Sequence, residues 1–433
     1  MKRGSGRRGV SLGTIVMLGI TAVVALSMIV VLAKLHTPGT TLELKAPEAL
    51  DLSSDTSQLH VDAAVTTSAP QELAGLLTLI TQPPASSASA TGASATLTFG
   101  GTVAITASVR RSCYYSSSKK YDFDELFDLM GGALVSDLTA VSVEDLFDES
   151  LSMSDIVTPA ALLTGLKDAG VSTVSLGFSR CVDKGVDTLR ASLEAVSAAG
   201  LRSIGAYATE QEASAAARVV TVQGIKIAVL HFTDDLGSSA VKKLTKAGCE
   251  WMVPVDGAAE QIAEARAAGA EAVVVYMHWG KNGTTTVSKA QTALAQQLAD
   301  AGADVIVGVG SRVVMPARLL TRADGGQTLC CYGLGTLMAE KRTDAAIAGM
   351  LLHLTFTRDS AGAVSLSQAS YSPTYIWHYT QDGVDHYRAV ISCADAPDGM
   401  SAAQVKVMKK ALSTTQSRLG SESPLTMKSD RPD

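Results

Sequence analysis

Ala272-Val273-Val274-Val275-Tyr276-Met277-His278-Trp279-Gly280 is an apolar run that closes on an imidazole, an indole and a glycine. Its β-branched centre and its length predict a buried strand over 272–277. Leu294, Ala295 and Leu298 then recur at helical spacing, which predicts a helix over 289–301. Gly302-Ala303-Asp304 breaks it and opens a second apolar run, a strand over 304–309. Strand, helix and strand in succession make an α/β layered domain, in which active sites gather at the loops leaving the carboxyl ends of strands.

The same alternation extends outward. Strands are predicted over 95–99, 171–176 and 328–332, and a hairpin over 219–222 and 225–232, divided by Gln223-Gly224. Helices are predicted over 123–130, 160–169, 186–199 and 258–268, the third ending at Gly200. A further helix over 401–410 gives way to a polar tail.

The first residues are basic (Lys2, Arg3, Arg7, Arg8), and residues 9–33 carry no charge. At about 1.5 Å per helical residue this stretch spans the roughly 30 Å hydrocarbon core. It predicts a single-pass signal anchor in the cell membrane, with Arg7 and Arg8 cytoplasmic and the C-terminal domain extracellular. A cleavable signal peptide is the competing expectation; its apolar region would be shorter, and no A-x-A site follows Ala33. Residues 34–94 are rich in Ser, Thr, Pro and Ala and bury too little apolar surface to offset their ordering entropy, so they form a stalk. Five segments result: a cytoplasmic tail (1–8), the anchor (9–33), the stalk (34–94), the α/β domain (95–390) and a C-terminal helix with a polar tail (391–433).

A net charge of −6 with interspersed signs gives no electrostatic footprint for nucleic acid. The six cysteines contain no C-x-x-C pair, which disfavours a structural metal cluster and leaves disulfide pairing open. Adjacent Cys330 and Cys331 in a strand point to opposite faces, so at least one is expected to be a buried, inert thiol.

Four loops carry a resemblance. His278-Trp279-Gly280, then Gln291-x-x-Leu294-Ala295, then Gly302-Ala303-Asp304-Val305-Ile306-Val307-Gly308, and finally Tyr332-Gly333-Leu334-Gly335-Thr336-Leu337 follow one another in order. This series resembles the CapA family of poly-γ-glutamate capsule-synthesis proteins. Upstream, Phe99-Gly100-Gly101, Asp137 to Glu144, and Leu176-Gly177-Phe178-Ser179-Arg180 with Asp183 and Gly185 fit the same pattern. The resemblance implies a layered αββα metallophosphoesterase-like sandwich, here preceded by one transmembrane helix, with Asp, Asn and His at strand ends binding one or two divalent ions such as manganese.

The chain departs from that pattern at most ligand positions. Gly101 stands for an aspartate, Ser142 for an asparagine, Ser179 and Arg180 for an Asn-His pair, and Arg312 for a histidine. His278 survives, with Glu144 and Asp183 as nearby acids, and Lys281-Asn282 shifts the cleft toward positive. One imidazole does not hold a catalytic ion, so no metal cofactor is expected. Arg180 and Arg312, aided by His278, Lys281, Ser142 and Ser179, are then candidates to bind an anion such as a carboxylate of poly-γ-glutamate. The plainer expectation is that Arg180 and Arg312 pair with Glu144 and Asp183 as a salt-bridged plug, and that His278 is a hydrogen-bonded structural residue. The functional expectation is a membrane-anchored, non-catalytic component of capsule biosynthesis working beside membrane subunits of a capsule synthase. The alternatives are a metal-dependent hydrolase or transferase rebuilt on His278, Glu144, Asp183 and Lys281, and an envelope protein-interaction module with a vestigial cleft.

Overall fold

The Val305–Gly310 strand lies parallel to Ala272–Trp279, from Val305 opposite Val274 to Gly310 opposite Trp279. The connecting helix, Lys289–Asp300, opens on a capping box in which Ser288 accepts from the Gln291 N–H and the Gln291 side chain accepts in return. This is the unit predicted from the opening stretch. The computed structural model describes residues 92–428 apart from 208, 215, 235, 247–256, 341–345 and 394. The expected anchor, nearly all of the stalk, Cys249 and Trp251 lie outside the described residues, among which no helix is long and apolar enough to cross a membrane.

Two mixed sheets carry the domain. The six-stranded sheet runs Ala317–Thr321, Gln327–Cys331, Val305–Gly310, Ala272–Trp279, Ile225–Thr233, Val219–Val222, with the predicted hairpin at its edge. The nine-stranded sheet runs Val384–Ile391, Val364–Gln381, Ala348–Arg358, Ser94–Val103, Leu138–Val143, Thr173–Ser175, Arg202–Ile204, with two short strands attached beside this path. From Ser94–Val103 onward its last four strands are parallel, whereas the three C-terminal strands are antiparallel.

The sheets share one apolar layer in which Leu97, Phe99 and Ala140 of the larger meet Val274, Tyr276 and Val307 of the smaller. Each buries its other face under helices: Leu163, Leu166, Leu189 and Val196 on one side, Ile262, Ala265, Ala295 and Leu298 on the other. Helix, sheet, sheet, helix is thus the observed layering. Cys330 packs toward the helices and Cys331 between the sheets. Both thiols are buried, and burial raises the pKa of Cys331 to about 12 and that of Cys330 well above its usual value.

Two expectations require correction. Residues 123–130 do not form one helix but fall in two 3₁₀ turns, Asp124–Leu126 and Asp128–Leu134, the second kinked at Gly131 with φ 54°. Paired glycines there remove the conformational restraint a helix needs. The C-terminal helix does not stop at 410 but runs Ala402–Leu419, capped by Ser401 and Gln404, and buries Met408, Ala411, Thr415 and Leu419. Beyond it Thr426–Met427 pairs with Val364–Gln381, so two residues of the expected polar tail join the sheet.

Candidate functional site

Parallel strands of both sheets deliver their carboxyl ends to one place. Glu144 follows Leu138–Val143, Asp234 follows Ile225–Thr233, His278 ends Ala272–Trp279, and Arg312 lies just past Val305–Gly310. With Ser179, Arg180 and Lys281 they line a cleft of about 790 Å³. The wall after His278 adds Asn282, Thr284, Thr286 and Ser288, a row of amide and hydroxyl groups.

Glu144 is the hub. Arg312 donates to its Oε2 from Nε at 3.0 Å and also from Nη2, while Thr102 Oγ1 donates to Oε1 at 3.3 Å. His278 Nε2 stands 3.8 Å from Oε1, too far for a hydrogen bond. Burial alone would raise the Glu144 pKa, but the imidazole of His278 and the guanidinium of Arg312 outweigh it and hold the carboxyl at about 2. Arg312 reaches this pose from a left-handed backbone, φ 57°.

Arg180 pairs instead with Asp183, Nε to Oδ2 at 2.8 Å, on a half-exposed turn. Each arginine therefore has an acid, as the plainer expectation held, and the cleft is not a bare cluster of cations. Asp183 is absent from the cleft lining, and Ser142 is buried within its strand between Thr102 and Ser175. Among the sequence-derived candidates, Glu144, Ser179, Arg180, His278, Lys281 and Arg312 come together; Asp183 and Ser142 do not.

The divalent ions implied by the resemblance do not fit these residues. A Cβ at Gly101 would lie 2.3 Å from the Gly335 carbonyl oxygen, so the backbone fills the space of the missing aspartate. Glu144, the carboxylate beside His278, is already spent on Arg312. Among the described residues no group of three His, Cys, Asp or Glu converges as a metal-binding set. Guanidinium nitrogens offer no lone pair to a metal.

Several supporting residues escaped the sequence. His231 is fully buried, with Nδ1 3.1 Å from Ser175 Oγ and Nε2 3.0 Å from Gly177 O; burial lowers its pKa to about 3. It packs against both Gly177 and Gly205, where any Cβ would collide with its ring. Asp145 accepts from the Ile105 N–H and the Thr158 hydroxyl, bracing the loop that carries Glu144, and burial raises its pKa to about 7 despite those bonds. A polar residue closing an apolar strand is the signal that marks His231 as it marks His278; Asp145 carries no such signal.

The profile of the bacterial capsule synthesis protein PGA_cap matches residues 96–341. Capsule biosynthesis protein CapA of Bacillus anthracis is 32% identical over 148 residues, 33% of this chain and 35% of that protein. PGA biosynthesis protein CapA of Bacillus subtilis (strain 168) is 29% identical over 178 residues, 41% of this chain and 44% of that protein. The chain thus aligns with less than half the length of either curated relative. Among solved structures, the calcineurin-like phosphoesterase YfkN from Bacillus subtilis superposes with a TM-score of 0.39 at 13% identity, covering 76% of this chain and 98% of that chain. A hypothetical protein from Thermus thermophilus gives 0.35 at 13% identity, covering 64% and 98%.

Proposed function

This chain belongs to the bacterial capsule synthesis protein PGA_cap family, and from that premise we propose that it serves the assembly of an anionic surface polymer, poly-γ-glutamate or a relative, by binding the polymer in the strand-end cleft without metal catalysis. The carrying observation is the unspent donor capacity there. Arg312 gives Nε and Nη2 to Glu144 and Arg180 gives Nε to Asp183, which leaves their other guanidinium nitrogens without a partner among the described residues. Lys281 lines the cleft with no ion pair or side-chain hydrogen bond among the described residues.

A polyamide with repeating carboxylates supplies acceptors for those cations and partners for the hydroxyl and amide wall. Each exposed ion pair is weak alone, about 1 kcal/mol or less, so affinity arises from several engaged along one polymer. In this proposal residues 9–33 anchor the chain in the cell membrane, the cleft faces outward, and membrane subunits of a polymer synthase are its neighbours. The scaffold is that of a metallophosphoesterase-like domain whose cation sites have been taken over by guanidinium groups.

The test is equilibrium binding of fluorescently labelled poly-γ-glutamate to the full-length chain in detergent. Lys281→Ala combined with Arg180→Ala is expected to weaken binding about tenfold and to flatten its salt dependence. Unchanged affinity in the double variant overturns the cleft assignment; stoichiometric manganese, iron or zinc in the purified protein overturns the metal-free part.

A further inference from the structure

A second cavity, of about 490 Å³, shares no lining residue with the cleft. It is walled by the first residues of two parallel strands, Leu138 and Thr173, and by the edge strand Arg202–Ile204, whereas the cleft lies at the strands' carboxyl ends. Leu193, Leu201, Ile204 and Val229 give it an apolar floor.

Into this cavity's wall the chain builds Arg218, only 5% exposed. Its Nε donates to Ser214 O at 3.1 Å, its Nη2 donates to Gln261 Oε1, and the guanidinium lies over the Tyr207 ring, 5.3 Å from the centroid. These contacts fix the group's plane and leave Nη1 buried with no hydrogen-bond partner among the described residues. A buried charged donor left unsatisfied is costly, and an anion seated nearby lowers that cost through its charge. Arg202 stands on the same wall with no ion pair or side-chain hydrogen bond among the described residues. Arg190, Glu194 and Glu212 also line the cavity, so three arginines and two glutamates leave one positive charge in excess: one negative group is compensated and a second is repelled.

We propose that this cavity binds a small organic monoanion, its carboxylate received by Arg202 beside the Arg218 guanidinium and its apolar body resting on Leu193, Ile204 and Val229. The cavity's size suits such a ligand, and mixed apolar lining with a few convergent polar groups is the usual build of a small-molecule site. The two acids exclude an extended polyanion, so the ligand class differs from that proposed for the cleft.

Saturation-transfer NMR on the full-length chain, with benzoate as the probe, tests this. Benzoate is expected to bind, benzamide and the dianion terephthalate to bind at least about tenfold more weakly, and added poly-γ-glutamate to leave benzoate in place. Arg218→Lys and Arg202→Gln are each expected to weaken benzoate about tenfold. Arg202 is exposed, so R202Q reports even where R218K disturbs folding, which a thermal melt detects. Absence of benzoate binding, equal binding of benzamide, indifference to R202Q, or displacement by poly-γ-glutamate each overturns the proposal. Displacement alone would move the site to the cleft, whereas failure of polymer binding leaves this cavity's result untouched.

Discussion

Arg312 turns Nε and Nη2 on a single oxygen of Glu144, Oε2, across 168 positions of sequence, and so ties the loop after one sheet's strand to the loop after the other's. The pair is largely withdrawn from water, with the Glu144 side chain only 9% exposed. In such a place the desolvation cost is repaid only while both partners remain.

Removing the charge from one partner is therefore expected to destabilise the domain. Glu144→Gln should cost about 1–3 kcal/mol, because the part-buried Arg312 is left without its counterion. The pH dependence follows from the same pair: the folded carboxyl titrates at about 2 against an ordinary 4.5, so its stabilisation is complete above 4.5 and is lost as pH falls toward 2. Denaturant melts of both proteins between those pH values check this; an identical acid limb in E144Q contradicts it.

Restoring an aspartate at position 101 should not restore a metal site. The Gly335 carbonyl oxygen lies 2.3 Å from where the Cβ must go, so Gly101→Asp has to push two backbone segments apart. A loss of about 1–3 kcal/mol from overpacking is expected, with no gain in manganese content. Calorimetry and elemental analysis of G101D decide it, and a stable variant carrying stoichiometric manganese would refute the steric argument.

His231 should impose a second acid sensitivity at milder pH. Its folded pKa is about 3 against an ordinary 6.5, so the neutral ring stabilises the fold fully above 6.5 and progressively less as pH falls toward 3. Part-buried His353, also lowered to about 3, acts in the same sense. In His231→Gln, stability should fall less steeply across that range, by on the order of 1–2 kcal/mol; an unaltered slope assigns the sensitivity elsewhere.

The parallel framework was legible because its strands are buried on both faces and read as plain apolar runs, as Ala272–Trp279 does. The antiparallel strands Ala348–Arg358, Val364–Gln381 and Val384–Ile391 were not, since no helices separate them and the outer half of Val364–Gln381 alternates between part-buried and exposed positions. The strand-end loops that resemble the family's motifs flagged His278, Arg312 and Glu144. Their pairing was beyond the sequence's choice between free cations and a plug, because which acid meets which arginine depends on the register between two sheets. The steric closure at Gly101 was invisible for a related reason: only the fold brings Gly335 against it.

The nine-stranded sheet has a further consequence for how the chain comes to be folded. Its central strand, Ser94–Val103, is flanked on one side by Leu138–Val143 and on the other by Ala348–Arg358, so the first of the described strands waits for one of the last. The helix Ala402–Leu419 then packs on that late strand and its neighbour Val364–Gln381. An emerging chain holds an unpaired edge through most of its synthesis, and closure is a near-final, all-at-once event of high contact order. Shortened chains ending before residue 348 accordingly lack a partner for their own first strand and are born with a sticky flank.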